Sequence, residues 1–306
     1  MKRYLPEGSL IGTSENAQRL RTPLTVADCF AKGIVLEARA SVCNANHDLI
    51  VDLGCMKGII PRCEGALGID DGSVRDIAII SRVGKPICFI ITAIDVDEND
   101  QPVAMLSRRL AQKECVDNYI SRLKSGDVVD AVVTHLEPFG AFCDIGCGIP
   151  SLMPIDAISV SRISHPRDRF CAGDRIKAVV KSVENSRITL SQKELLGTWE
   201  ENAKMFRAGE TVSGVIRSVE SYGVFVELTP NLAGLAEPKD NIAPSQTASV
   251  YIKSIIPEKM KIKLIIIDSF DSALPSQKPR YFFTEDHLDS WQYSPQSSQK
   301  LIESVF

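Results

Sequence analysis

Two pairs of aromatic residues carry the clearest chemistry in the sequence. Phe139 and Phe142 flank Gly140 in EPFGAF, and Tyr222 and Phe225 flank Gly223 in ESYGVF. Rings placed this way can serve as stacking platforms for unpaired nucleobases, provided cations lie close enough to meet the phosphate backbone. On an ideal strand, residues three apart point to opposite faces. Gly140 is therefore expected to introduce a bulge or kink that brings both rings outward. Without one, one or both rings fill a core, and the spacing alone leaves both arrangements open. The Tyr222 hydroxyl favours an exposed edge for its pair.

The cations are unevenly placed. Residues 125–161 contain no Lys or Arg and five acids. Residues 162–193 then hold Arg162, Arg167, Arg169, Arg175, Lys177, Lys181, Arg187 and Lys193 against Asp168, Asp174 and Glu184, a net +5. Residues 239–263 are milder, with five Lys against Asp240 and Glu258, or +3. Such residues can also be no more than solvated strand faces. The whole chain of 306 residues has a net charge of −4, which excludes nucleic-acid binding through bulk positive charge and leaves local patches.

Other chemistry is sparse. His47, His135, His165 and His287 show no metal-ligand spacing, and no phosphate-cradling GxxxxGK[ST] loop or nucleophile elbow is present. A Cys–His pair such as Cys143 with His165 could form only by folding. The nine cysteines contain no CxxC pair, which points to reduced thiols in a cytoplasmic setting rather than to disulfides or zinc. The opening MKRYLPEGSL lacks an apolar run, so no signal peptide is expected. Apolar runs such as ICFII are of strand length, and no membrane span is expected. No catalysis, cofactor or small-molecule substrate is expected.

The elements that would position these rings repeat along the chain. Residues 125–156 match 208–239 at an offset of 83, aligning Gly140 with Gly223 and Leu152 with Leu235. VVKSVENSRITLSQ (179–192) resembles YIKSIIPEKMKIKL (251–264), and at their ends Arg187 aligns with Lys261 at an offset of 74. A weaker copy covers 33–62 and ends in AMLSRR (104–109). It has no FG-x-F element, and His47 and Ile50 stand where Phe139 and Phe142 stand. VVDAVVTHL and TVSGVIRSV show the β-branched, partly alternating pattern of half-buried strands. Residues 107–123 suit a helix with Leu110, Cys115, Tyr119 and Leu123 on one face. A second helix over 191–206 is interrupted near Gly197. The tail, with Pro275, Pro279 and Pro295, reads as irregular and loosely held, with Tyr281, Phe282, Phe283 and Trp291 free to dock. Five short strands in some 70 residues, repeated, point to small closed barrels, OB-fold or SH3-like.

The second copy, G-D-V-V-x-A-V-V-x-x-L-E-x-F-G-A-F-x-D-I followed by R-I-T-L-S, resembles the RNA-binding repeat of the bacterial small-subunit ribosomal protein S-one family. The same repeat occurs in polynucleotide phosphorylase and ribonuclease E. The third copy resembles it equally well at its front. The resemblance implies a mainly β fold of three tandem five-stranded OB-fold barrels, the first degenerate. Short helices join them, and an irregular tail follows. It divides the chain into an extension (1–24), a degenerate repeat (25–109), a helical linker (110–124), an RNA-binding repeat (125–194), a helical linker (195–205), an RNA-binding repeat (206–268) and a tail (269–306).

The resemblance further implies that Phe139, Phe142, Lys181 and Arg187 meet RNA in the second copy, and Tyr222, Phe225 and Lys261 in the third. His165, in an Arg-rich loop, either stacks on a base or is satisfied within the loop. Two departures matter. The family's usual His is replaced by Pro154 and Glu237, and its usual hairpin Asp by Glu184, Asn185 and Ser186. Glu237 would repel a phosphate, which weakens the third site. The implied partners are single-stranded messenger RNA and the 30S ribosomal subunit. The alternatives are a non-ribosomal RNA-binding regulator or RNA-decay scaffold, and a protein-interaction module that has lost RNA binding.

Overall fold

A computed structural model describes residues 4–184, 187–271 and 279–306. Met1–Arg3 of the extension, Asn185 and Ser186 of the second copy's hairpin, and Pro275 of the tail lie outside the described residues. The chain divides into two compact units, residues 1–123 with 144–150, and residues 124–143 with 151–306.

Three closed five-stranded barrels make up most of the structure. The first is built from β1 (Leu36–Cys43), β2 (Leu49–Asp52), β3 (Lys57–Ile60), β4 (Pro86–Val96) and β5 (Pro102–Ser107). The second comprises β6 (Val128–Glu137), β7 (Gly140–Asp144), β8 (Pro150–Pro154), β9 (Arg175–Glu184) and β10 (Arg187–Ser191). The third comprises β11 (Thr211–Glu220), β12 (Gly223–Thr229), β13 (Leu232–Ala236), β14 (Thr247–Ile256) and β15 (Lys261–Phe270). This is the expected mainly β architecture of tandem OB-fold barrels. In each barrel the third strand runs parallel to the fifth, and this pair sits in an otherwise antiparallel barrel.

Strand periodicity makes the cores. Val129, Ala131 and Val133 of β6 point inward and are buried, while the residues between them are only partly covered. In the third barrel Ile216, Val224, Val226, Val250, Ile252, Ile262 and Leu264 do the same. The first barrel is as well filled, by Leu36, Leu49, Val51, Ile60, Ile87, Phe89 and Leu106. It is degenerate in its outward residues and intact in its inward ones.

In the first unit, α1 (Ser14–Arg19) and α2 (Pro23–Lys32) precede β1. Thr22 and Thr25 form a capping box at the start of α2, Pro23 takes its first position, and Gly33 closes it at φ 57°. The extension is pinned by two buried acids. Glu7 accepts from Arg108 Nε at 2.7 Å and from Arg82 Nη1 at 3.1 Å, and Glu37 accepts from the backbone N–H of Gly8, Leu10 and Ile11. Burial pushes the Glu37 carboxyl above its usual range, against the pull of the backbone donors from Leu10, Ile11 and Gly8. A short α3 (Ile77–Ile80) lies between β3 and β4, and α4 (Arg108–Asn118) follows β5 with Ser107 as its N-cap. Cys115 and Tyr119 are buried as expected, but Ala111 and Gln112 take the other inner positions, and Leu110 and Leu123 are half-covered.

In the second unit, a 3-10 turn (Lys193–Leu196), Gly197 at φ 86° and α5 (Trp199–Ala203) form the interrupted linker. The tail corrects an expectation. Its described residues from 279 on are irregular apart from the small pairing of β16 (Ser290–Gln292) with β17 (Glu303–Val305), but they are not loosely held. Leu288, Trp291 and Tyr293 are buried in one apolar cluster that takes in Val128 and Val179 of the second barrel and Val226 and Ile252 of the third. The Tyr293 hydroxyl donates to the Asn231 carbonyl at 2.6 Å, and the Val128 N–H donates to the Asp286 carbonyl at 2.9 Å. The tail thus straps the second and third barrels together.

Candidate nucleic-acid interface

The ring pairs sit at the tips of two-residue hairpins. Pro138–Phe139 turn β6 into β7, and Ser221–Tyr222 turn β11 into β12. Because Phe139 and Tyr222 belong to turns, strand alternation does not govern them, and each ring can stand beside the outward ring three residues on. The Phe139 and Phe142 centroids are 6.0 Å apart at 89°, and those of Tyr222 and Phe225 are 6.2 Å apart at 86°. Phe139 is 56% exposed and Tyr222 65%, so each pair presents an open face.

Gly140 and Gly223 share a task of close approach, and Gly223 pairs directly with Glu220 without a bulge. A Cβ at Gly140 would stand 2.4 Å from the Met153 carbonyl oxygen, and one at Gly223 2.6 Å from that of Ala236. The glycines let the neighbouring strand approach the hairpin base. Among the register shifts, Arg217 is passed over in β11–β12, Lys181 in β9–β10 and Lys253 in β14–β15.

A row of outward residues crosses the third barrel through successive strand pairs: Ser218, Phe225, Leu235, Lys263 and Ser254. Its counterpart in the second barrel is His135, Phe142, Leu152, Thr189 and Ser182, of which Leu152–Thr189–Ser182 pair directly. Arg187 and Lys261, the exposed residues that open β10 and β15, lie two residues before Thr189 and Lys263 on the same faces. Lys181 is exposed at its bulge. The structure therefore gathers Phe139, Phe142, Arg187 and Lys181 around one barrel face, and Tyr222, Phe225 and Lys261 around the other.

His165 is placed apart from the row. It lies in the long β8–β9 connection, caps the 3-10 turn Pro166–Asp168, and accepts from the Arg167 N–H at Nδ1, 3.1 Å away. Arg169 is a correction to the basic half-repeat, because it is not solvated. Its side chain is 10% exposed and donates to Glu227 of the third barrel, which also accepts from Arg217 Nε at 2.8 Å. Burial pulls the Arg169 guanidinium below the ordinary arginine value, and the Glu227 carboxylate opposes that shift. Lys177 is also engaged, 3.5 Å from Asp130. Glu237 is not a bare acid beside the third ring pair, since Lys253 Nζ lies 3.6 Å from it.

Two residues of these faces escaped the sequence reading. The His135 ring lies 6.4 Å from Phe142 at 30°, adding a third ring to the second platform. Tyr251, 36% exposed, pairs with Ile265 on the outer face of β14–β15. Their counterparts Val179 and Ser191 are buried, because the second barrel's chain turns away after Ser191 whereas β15 runs on to Phe270. Among the described residues, no group of three or more His, Cys, Asp or Glu could hold a metal ion, and no helix is long and apolar enough to cross a membrane. All nine cysteines are free thiols.

Residues 122–193, which contain the second barrel, match the S1 RNA binding domain family. The chain is 29% identical over 247 residues to small ribosomal subunit protein bS1 of Staphylococcus aureus (strain COL), covering 75% of this chain and 59% of that protein. It thus spans about three fifths of that relative's length. It is 28% identical over 314 residues to the small ribosomal subunit protein bS1 homolog of Bacillus cereus (strain ATCC 10987 / NRS 248), covering 98% of this chain and 77% of the relative. A multidomain protein with nucleic acid binding domains from Streptococcus pneumoniae TIGR4 aligns over 77% of this chain and 74% of its own, at 12% identity and a TM-score of 0.26. The chain carries an S1 domain in tandem OB-fold repeats and is a relative of the bacterial bS1 proteins.

Proposed function

We propose that this chain binds single-stranded RNA, messenger RNA in particular, and does so in translation at the small ribosomal subunit. The observation that carries this reading is the repeated ring pair. Two barrels present an exposed aromatic at a hairpin tip and a second ring edge-on to it, at 6.0 and 6.2 Å. Each platform is bordered by exposed cations, Lys181 and Arg187 on one and Lys261 and Lys263 on the other. Splayed bases stack on such rings whatever their identity, while the cations meet phosphates. Duplex RNA keeps its bases stacked inside and offers them no face, so unpaired RNA is the preferred ligand. The bS1 relatives are small-subunit ribosomal proteins, which supports the ribosomal setting.

The test is crosslinking in cells, followed by identification of the RNA and of the crosslinked residues, together with co-sedimentation. Messenger RNA crosslinked at Phe139, Phe142, Tyr222 or Phe225, and salt-sensitive co-sedimentation with 30S subunits, are the expected results. Crosslinks to RNA without 30S association would favour a regulator or decay scaffold instead.

The first barrel supports a second reading for itself. Its row is Val42, Ile50, Ile59, Met105 and Ala93, with neither ring nor cation, and Val42 is 52% exposed. An aliphatic row of this kind suits a protein contact.

A further inference from the structure

The basic loop between β8 and β9 belongs to the second barrel by sequence, yet its charged contacts reach the third. Arg169 donates to Glu227, and Arg217 of β11 holds the same carboxylate while its Nη1 stands 3.7 Å from Asp168. Asp168 also accepts from the backbone N–H groups of Ser164 and His165. The turn is thereby fixed against β12.

Glu227 lies two residues beyond Phe225, so strand alternation puts both side chains on one outer face, about 7 Å apart along the strand. The turn carrying His165 and Arg167 is therefore tied to a strand position two residues along from a stacking ring. The four charges of the clamp, Arg169 and Arg217 against Glu227 and Asp168, cancel. Arg167 is exposed, and its guanidinium meets no acid among the described residues. An uncompensated guanidinium, on a turn anchored two residues along the strand from Phe225, can reach a phosphate of an RNA strand lying on that pair.

We propose that Arg167, with His165 beside it, serves the RNA track of the third barrel, so that a strand stacked on Tyr222 and Phe225 is gripped by both barrels at once. This rests on the single-stranded RNA reading and adds to it a composite site that crosses the barrel junction. The test uses the full chain and a short unstructured oligouridylate, with affinity measured against salt concentration. Arg167→Ala is placed in two backgrounds, one lacking the second platform (Phe139→Ala with Phe142→Ala) and one lacking the third (Tyr222→Ala with Phe225→Ala). In the first background Arg167→Ala is expected to weaken binding several-fold and to reduce the salt slope by about 0.7, one phosphate contact on a single strand. In the second it is expected to change neither quantity. Loss confined to the second background, equal loss in both, or no loss in either overturns the composite site while leaving the platforms standing. Ring-pair variants that bind RNA like the parent overturn the platforms and this proposal together.

Discussion

The first and second barrels share strand order, closure and a filled core, and differ in one outward row. Where the second has His135, Phe142, Leu152, Thr189 and Ser182, the first has Val42, Ile50, Ile59, Met105 and Ala93. The hairpin tips differ with the rows. The second barrel turns in two residues and carries Phe139 there. The first uses five residues, 44–48, organised by the Asn44 side chain, whose Oδ1 accepts from the N–H groups of Asn46 and Asp48. His47, at the position of Phe139, faces Asp76 at 3.4 Å. Even the hydroxyl that steadies the platform strand is kept: Ser41 donates to the Ile50 carbonyl as Thr134 donates to that of Phe142. The pair teaches that inward residues set the fold and outward ones set the ligand, and that the two can change separately.

Removing both second-barrel rings should have the largest effect. Phe139→Ala with Phe142→Ala is expected to lower single-stranded RNA affinity by about 1–3 kcal/mol per ring, read by fluorescence anisotropy, with the fold intact by circular dichroism. The same measurement on Tyr222→Ala with Phe225→Ala should give losses at the lower end of that range. If either ring-pair variant bound like the parent, the stacking model would fall.

Gly140→Ala probes the hairpin base instead. The added Cβ meets the backbone carbonyl of Met153, which has no easy retreat, so a stability loss of about 1–3 kcal/mol is expected in urea unfolding. Unchanged stability would refute the close-approach role. Smaller again is Arg187→Ala, which should reduce the salt slope of RNA binding by about 0.7 with little change in base preference. Glu237→Gln should release Lys253 and tighten binding at the third platform by under about 1 kcal/mol, the usual scale of an exposed ion pair. A weakening would show that the pair itself positions RNA. Ile50→Ala should leave RNA affinity unchanged, because the first barrel offers no ring there. A loss of more than twofold would erase the contrast between the barrels.

The repeat made much of this legible. VVDAVVTHL and TVSGVIRSV alternate as barrel strands must, and the paired offsets place Phe142 with Phe225 and Arg187 with Lys261, as the strand registers do. What sequence could not supply was non-local. A bulge is fixed by the register of the partner strand, so the local sequence does not mark Arg217, Lys181 and Lys253, which hold unpaired positions. Arg169 read as one base in a solvated run because its partner, Glu227, lies in the next repeat. Tyr251 occupies an ordinary strand position and is uncovered only because β15 continues past the point where β10 ends. The tail's prolines and polar residues hid three anchors, Leu288, Trp291 and Tyr293, whose burial depends on two barrels already standing.

That strap has a consequence for the order in which the molecule is made. The apolar cluster joining the second and third barrels contains Val128, Val179, Val226, Trp291 and Tyr293. During synthesis the second barrel's strands, complete at Ser191, can emerge and close before residues 288–293 exist. The mutual arrangement of the two barrels has to wait, because the residues that fill the shared core follow both barrels in the chain. A growing chain therefore passes through a stage in which the second barrel is finished but unstrapped, exposing the apolar surface of Val128 and Val179. A stop codon shortly before Leu288 would make that stage permanent. The product would keep its ring pairs and lose the fixed spacing between them.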